Sequence, residues 1–337
     1  MNLINRFQLA AEKIAAARRI LIIAHTSPDA DAIASIGAMI EIAKSFNLEI
    51  IAYADHKPGG AYDFIPNENL IVSTPPDNLL DFGVIIILDC GSISRTGMEE
   101  RIRSLLVAKK EGKISKRPYI IEFDHHEPTE TYADLEIRLS GKASTTEIIY
   151  QFLKINNLEI TKTLADSILI GLLTDTGHFL HANSSQEALA ISSEMLLRGA
   201  SLPKIISRTT HNKSFSALKV WGRVLEKMKF NEETGLAVVG LTAEELEEML
   251  GKNNQKIDVD LFGDLVSFLS CLAGVRVALL LREENKQVKG SLRTNIDGID
   301  VAKIAKNWGG GGHKKAAGFS ISGRLAETET GWKIVKI

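Results

Sequence analysis

Short runs of branched apolar residues recur through the first two thirds of the chain, each released into a loop that carries Asp or His. Residues 19–24, 49–53, 70–72, 82–88 and 119–123 read as strands on this pattern. The run at 82–88 is almost unbroken and rich in isoleucine, which marks a strand covered on both faces, as parallel sheets require. Between these runs the apolar positions space out to a helical period. The stripe Ile4, Leu9, Ala11 and Ile14 predicts a helix over 3–17, and Pro28 places the start of a second helix near itself, continuing to Phe46. Further helices are expected over 98–109, 146–156, 162–173, 185–198 and 202–208. Ser144 followed by Glu147 has the spacing of a capping box and opens the helix at 146.

Short strands alternating with helices predict an α/β fold, with a mostly parallel-sheet catalytic domain over residues 1–210. After a connection at about 211–227 the pattern changes. A hairpin-like turn at 231–235 is followed by candidate strands at 236–240, 274–281, 287–292, 316–321 and 332–337, with helices at 243–250 and 301–307. This predicts a smaller mixed α/β domain over 228–337, suited to binding substrate.

Composition narrows the setting. The 337 residues are 45% apolar, enough for two domain cores, and forty basic against forty-two acidic residues leave a net charge of -2. That near-balance argues against a protein that coats long nucleic acid. Two cysteines, Cys90 and Cys271, give neither a disulfide framework nor a thiolate metal cage, which suits a reducing cytoplasm. The amphipathic first residues carry Arg6, Glu12, Lys13, Arg18 and Arg19 and lack the apolar core of a signal peptide. With no apolar run of about eighteen residues, a soluble cytoplasmic protein without a membrane partner is expected.

The candidate chemistry sits where the apolar runs end. His25, Asp29 and Asp31 follow the first strand, Asp89 follows the run at 82–88, Asp124, His125 and His126 close the run at 119–123, and Asp175 follows an apolar helix. Ligands of parallel α/β sheets bind beyond the carboxyl ends of the strands, so these motifs share one side. Carboxylates and imidazoles together suit divalent cations of the Mn²⁺ or Mg²⁺ type, and a two-metal hydrolytic centre needs one carboxylate shared between ions. Each residue alone has a bland reading: His25 as a core or capping residue, Asp124 as an acceptor for backbone amides. The adjacent His125 and His126 resist it, because neighbouring imidazoles cannot both point into one apolar core. Several carboxylates close together also repel one another without cations.

The series His25-x-x-x-Asp29-x-Asp31, Asp89, Asp124-His125-His126 and Thr174-Asp175-Thr176-Gly177 resembles the DHH phosphoesterase superfamily in order and context. The later Gly309-Gly310-Gly311-Gly312-His313-Lys314-Lys315-Ala316-Ala317-Gly318-Phe319 resembles the signature of its associated C-terminal substrate domain. Together they cover nearly the whole chain, and the pattern is most similar to the oligoribonuclease and 3'-phosphoadenosine 5'-phosphate phosphatase group. The resemblance implies two divalent ions, Mn²⁺ first with Mg²⁺ or Co²⁺ as alternatives. It implies that His25, Asp29 and Asp89 hold one ion and that Asp31, Asp89, His125 and Asp175 hold the other, with Asp89 shared. Asp124 would orient the neighbouring imidazole, and His126 would face the scissile phosphate as a catalytic group.

The glycines at 309–312 permit close backbone approach and successive amide donors, although a tight turn would look the same. His313, Lys314 and Lys315 favour an anion, and residues 272–315 hold nine Lys or Arg against four Asp or Glu. Arg282 and Lys289 read by default as solvated strand positions. By the resemblance, Ser291, Arg293, Gly310, Gly311, Gly312 and His313 hold the phosphate and base of a substrate across the interdomain cleft. The expected activity is Mn²⁺-dependent hydrolysis of very short RNA to 5'-mononucleotides, and of 3'-phosphoadenosine 5'-phosphate to AMP. Open alternatives are cleavage of linear or cyclic diadenylate, a RecJ-like exonuclease acting on single-stranded DNA, an inorganic pyrophosphatase, and a nucleotide-binding module without turnover. Short RNA, a dinucleotide or a nucleotide is the expected partner, long duplex nucleic acid is not, and a homodimer is compatible with the sequence without being indicated by it. Cys90 reads as a buried neighbour of Asp89 rather than a nucleophile.

Overall fold

The computed structural model describes residues 1–56, 59–128, 130–209, 215–250, 261–284, 286–312, 314–328 and 331–335. They divide into two compact units, Met1–His211 and Asn212–Ile337.

The first unit runs α1 (Leu3–Ala15), β1 (Arg19–Ala24), α2 (Ala30–Ser45), β2 (Glu49–Tyr53), β3 (Ile71–Val72), β4 (Val84–Leu88) and α3 (Glu99–Lys110). It continues with β5 (Tyr119–Asp124), β6 (Leu135–Arg138), α4 (Thr145–Ile155), α5 (Lys162–Asp175), α6 (Gln186–Leu197) and α7 (Leu202–Thr209). The strands form one sheet in the order β3-β2-β1-β4-β5-β6, every pair parallel. Alternate residues face opposite layers. Ile20, Ile22, Ile86, Leu88, Ile121 and Phe123 pack with α1, α2, α4 and α5, whereas Leu21, Ile23, Ile85, Ile87 and Ile120 pack with Ile102 and Leu105 of α3. Each such fully buried apolar side chain contributes roughly 1.5–3 kcal/mol of transfer free energy, and between the first and last positions of β1, β4 and β5 only Glu122 is polar, its carboxylate held by Arg138 and the Tyr132 hydroxyl.

Chain direction across the sheet reverses between β1 and β4. The connection leaving β1 enters α2 on one face, and the connection leaving β4 leads to α3 on the other. The carboxyl ends of β1 and β4 therefore open a crevice between diverging loops, the place where doubly wound sheets bind ligands. Edge strand β6 was not anticipated: in Leu135-Glu136-Ile137-Arg138 only the two apolar residues are buried, and the run is too short to stand out.

The second unit comprises α8 (Phe215–Glu226), β7 (Lys229–Asn231), β8 (Leu236–Leu241), α9 (Ala243–Leu250), α10 (Leu261–Ser270), β9 (Val277–Glu284), β10 (Gln287–Arg293) and α11 (Val301–Lys306). It ends with β11 (Gly311–Gly312), β12 (Ala316–Ser322), β13 (Arg324–Thr328) and β14 (Gly331–Val335). Its main sheet has the order β11-β12-β10-β9-β8-β7 and is mixed: β8 and β9 run parallel, the other pairs antiparallel. Residues 215–226, expected within the connection, form α8, whose Val220 and Val224 join the core of this unit; residues 210–214 lie outside the described residues. Helix α10 and strand β13 were not anticipated, and β13 pairs with β14 as a separate hairpin. Among the described residues no helix is long and apolar enough to cross a membrane.

Candidate metal centre

Each acidic or imidazole side chain at the crevice is placed by the element it ends or begins. His25 leaves β1, and Asp29 caps α2 by accepting Ala32 N–H on Oδ1 at 3.0 Å. Asp31 lies in the first turn of α2 and is fully buried. Asp89 follows β4 with a left-handed backbone, φ 58°, unusual for a residue with a side chain and typical of positions held by function. Asp124 is the last residue of β5, His125 and His126 follow it, and Asp175 is the last residue of α5.

These side chains form overlapping groups. The ligand atoms of His25, Asp29 and Asp89 lie within 4.8 Å of one another, as do those of Asp31, His125 and Asp175, and those of Asp89, His125 and His126. Asp89 looks both ways: Oδ2 is 3.9 Å from His25 Nε2, and Oδ1 is 3.4 Å from His125 Nε2. His125 Nε2 is also 3.2 Å from Asp175 Oδ2.

The tautomers decide what belongs between them. His25 Nδ1 donates to the Thr26 carbonyl at 2.8 Å, so the neutral ring turns the lone pair of Nε2 toward two carboxylates, with Asp29 Oδ2 at 3.8 Å. That nitrogen is buried and has no hydrogen-bond partner. A lone pair facing carboxylate oxygens at such spacing fits a cation between them, and the carbonyl behind the ring fixes the ligating nitrogen, as is usual for metal-bound histidine. His125 repeats the arrangement, with Nδ1 near the Lys142 carbonyl at 3.4 Å and Nε2 toward Asp89 and Asp175.

Electrostatics agree. Burial, with the Asp89 charge next, pushes the Asp31 carboxyl up to about 7, and burial together with Asp31 holds Asp175 well above the carboxylate range. Burial would lower His125, but Asp89, Asp175 and Asp31 outweigh it and raise the imidazole well above its ordinary value. A cluster whose acids retain protons has the charge deficit that divalent cations relieve.

His126 is committed differently. Its Nδ1 and backbone N–H both go to Asp124 Oδ1, at 2.7 and 2.8 Å, and Asp124 Oδ2 accepts Gly91 N–H at 2.5 Å. Burial opposes ionisation of Asp124, yet the His126 and Gly91 hydrogen bonds overcome it and hold this carboxyl well below its usual range. The anchored ring meets His125 edge to face at 4.8 Å. Burial and Asp124 push the Cys90 thiol well up, the opposite of an activated nucleophile.

Two residues at the centre escaped the sequence reading. Thr145, at the start of α4, donates Oγ1 to Asp89 Oδ1 at 3.0 Å and its backbone N–H to Asp31 Oδ2 at 2.7 Å. Gly171 on α5 leaves room for Asp31, because a Cβ there would lie 2.1 Å from Asp31 Oδ1. The capping box was the one signal near Thr145: Ser144 accepts Glu147 N–H, but Glu147 reaches back to Ala143 N–H.

In the second unit, strand register aligns Ser291 of β10, Gly318 of β12 and Gly311 of β11 in one row across three strands, with Arg293 two residues along from Ser291. All four are partly exposed. Gly311 and Gly312 are therefore a paired edge strand rather than a free loop. Gly310 permits the close crossing, since a Cβ there would lie 2.1 Å from the Gly318 carbonyl. His313 lies outside the described residues. Lys315, read as part of an anion handle, turns instead to the Ile296 carbonyl at 2.6 Å and Asp297 at 3.2 Å. Lys289 and Arg282 both reach Glu284.

A parallel sheet with a His- and Asp-lined crevice at its reversal point, and one carboxylate facing three imidazole rings, defines a divalent-metal centre. The chain belongs to the DHH family: the profile of the DHH family, N-terminal domain, matches residues 19–172, and that of the DHHA1 domain matches residues 236–330. It is 29% identical over 319 residues to the bifunctional oligoribonuclease and PAP phosphatase NrnA of Thermus thermophilus, covering 94% of this chain and 89% of that one. It is 24% identical to the protein of the same description from Bacillus subtilis, with 88% and 87% covered. The solved structure of an exopolyphosphatase-related protein from Bacteroides fragilis superposes with a TM-score of 0.82 at 25% identity, over 95% of this chain and 92% of that one. The family and the His/Asp cluster make this chain a metal-dependent phosphoesterase.

Proposed function

We propose that the protein hydrolyses very short oligoribonucleotides to 5'-mononucleotides, and 3'-phosphoadenosine 5'-phosphate to AMP, in the cytoplasm. The observation that carries the chemistry is Asp89, with one oxygen toward His25 and the other toward His125. The substrate class rests on the similarity to the NrnA proteins along most of their length.

In this reading His25, Asp29 and Asp89 hold one divalent cation, and Asp31, Asp89, His125 and Asp175 hold a second, Mn²⁺ being the best match to mixed imidazole and carboxylate donors. When bound, the ions supply Lewis acidity, acidifying water and neutralising charge on phosphate oxygens. The carbonyls of Thr26 and Lys142 lie at Nδ1 of His25 and His125, so that Nε2 is the nitrogen each ring would offer to a cation. Asp124 holds the proton of His126 on Nδ1, so proton exchange with substrate falls to Nε2. In this reading Nε2 faces the departing oxygen, and Asp124 holds the ring in that orientation. No covalent phosphoenzyme is required, which leaves Cys90 without a chemical role.

Ser291, Gly311 and Arg293, with Gly310, Gly312 and His313, form the phosphate-reading lobe in this proposal, Arg293 acting as a forked donor to phosphate. Arg293→Ala is expected to raise KM roughly ten- to hundredfold, the loss of about 1.5–3 kcal/mol of charged hydrogen bonding, with Mn²⁺ binding unchanged. An unchanged KM would remove Arg293 from the site.

The substrate assignment is tested by incubating Mn²⁺-loaded protein in parallel with labelled RNA dimers to pentamers, linear and cyclic diadenylate, and 3'-phosphoadenosine 5'-phosphate. The highest kcat/KM is expected on the RNAs, with 5'-mononucleotides as products. RNAs left intact beside rapid cleavage of a diadenylate would overturn the assignment, and RNAs bound but uncut would indicate a binding module.

A further inference from the structure

We infer that the Thr145 hydroxyl is a positioning group that fixes the rotation of the Asp89 carboxylate, so that its two oxygens serve two cations at once. The inference rests on the metal-dependent reading above but assigns a residue outside the ligand set. Thr145 is fully buried at the first position of α4. It contacts the shared acid and one acid of the second group: Oγ1 donates to Asp89 Oδ1 at 3.0 Å, and the amide donates to Asp31 Oδ2 at 2.7 Å. The next amide, that of Thr146, reaches Asp31 Oδ1 at 3.2 Å. Asp31 is thereby tied by both oxygens to backbone that cannot rotate.

Asp89 has less support. Its backbone is pinned, Asp89 N–H to the Phe123 carbonyl at 3.1 Å, but the terminal torsion of an aspartate is broad and roughly twofold. The Thr145 proton breaks that freedom. It occupies one lone pair of Oδ1 on the side of α4, leaving the rest of Oδ1 toward His125 and His126, each at 3.4 Å, and Oδ2 toward His25. Rotation of the carboxylate would turn both oxygens off these directions, and a carboxylate so turned serves one cation rather than two. An apolar isostere removes this restraint while keeping the shape of a buried residue.

The test uses the metal-stripped full chain and Mn²⁺ itself. Wild type is expected to bind two ions by calorimetry and to show the exchange-coupled electron paramagnetic resonance signal of a bridged pair. Thr145→Val is expected to bind the second ion about 10–100-fold more weakly, the usual cost of losing a group that orients a ligand, and to lose the coupled signal. Thr145→Ser, which restores the hydroxyl, is expected to recover both. Thr145→Ala repeats the measurement without a branched side chain, should the valine variant fold poorly. Two ions bound by the valine or alanine variant with wild-type affinity and coupling would overturn the assignment, as would lowered thermal stability with metal binding intact, the signature of a purely structural threonine. If wild type itself bound no ion pair, the metal-dependent reading would fail ahead of Thr145.

Discussion

Asp89→Asn is expected to reduce phosphoesterase turnover by about 10³-fold or more, since a shared metal ligand supports several kcal/mol of transition-state charge stabilisation and each 1.36 kcal/mol is tenfold in rate. Asparagine keeps the shape but leaves a single oxygen, which can face His25 on one side or His125 and His126 on the other. Its amide cannot present anionic oxygens to both His25 and His125, which lie at 3.9 and 3.4 Å from opposite oxygens of Asp89. The variant should stay folded, because the residue follows a strand whose five positions are all buried apolar side chains. Chelation of wild type should produce the same loss and Mn²⁺ should reverse it. A variant that retained wild-type kcat with Mn²⁺ would show that Asp89 is not shared.

The second large effect is on pH. Asp31 lies at about 7 without metal, through burial and the Asp89 charge, and Asp175 is raised well above the carboxylate range by burial and Asp31. Cations bind the deprotonated acids and must displace those protons. Mn²⁺ affinity should therefore climb steeply from about pH 6 to about pH 8, by about tenfold per unit for each proton displaced, with proton release seen in buffers of different ionisation heat. Stability of the metal-free protein runs the other way. An acid raised above its unfolded value near 3.9 contributes stability that is complete below that value and is lost as pH rises through about 7. The raised His125 has the same sign. The thermal midpoint of metal-free protein should fall between about pH 5 and about pH 8, and saturating Mn²⁺ should reverse the slope. Parallel slopes with and without Mn²⁺ would mean that the protons are not held at the metal centre.

Much of the centre was legible because its residues interrupt apolar runs. Nothing in the packing of β4 or β5 calls for Asp89, Asp124, His125 or His126 at the strand ends, so their presence there pointed to chemistry. That the motifs lie beyond the carboxyl ends of the strands followed from the alternation of short strands and helices, whereas the reversal between β1 and β4 needed the strand order. What stayed hidden depends on contacts between distant residues. Thr145 meets Asp89 across 56 positions of sequence, and its local context reads only as a helix start. Gly171 looks like any helical glycine until Asp31 is placed against it. Edge strand β6 was concealed by Glu136 and Arg138, which lie half-buried at the sheet margin, where Arg138 pairs with buried Glu122. Lys315 read as an anion ligand because charge in sequence carries no direction; in the fold it answers Asp297. The glycine segment read as an amide cradle or a tight turn alike, and pairing of Gly311 and Gly312 to β12 shows that its backbone is partly spent on a sheet edge.

The most direct measurement is an anomalous-difference map from a crystal of the full chain soaked in Mn²⁺. Two manganese peaks are expected on opposite sides of Asp89, one toward His25 and Asp29 and the other toward Asp31, His125 and Asp175. A single peak, or manganese bound away from Asp89, would contradict the account.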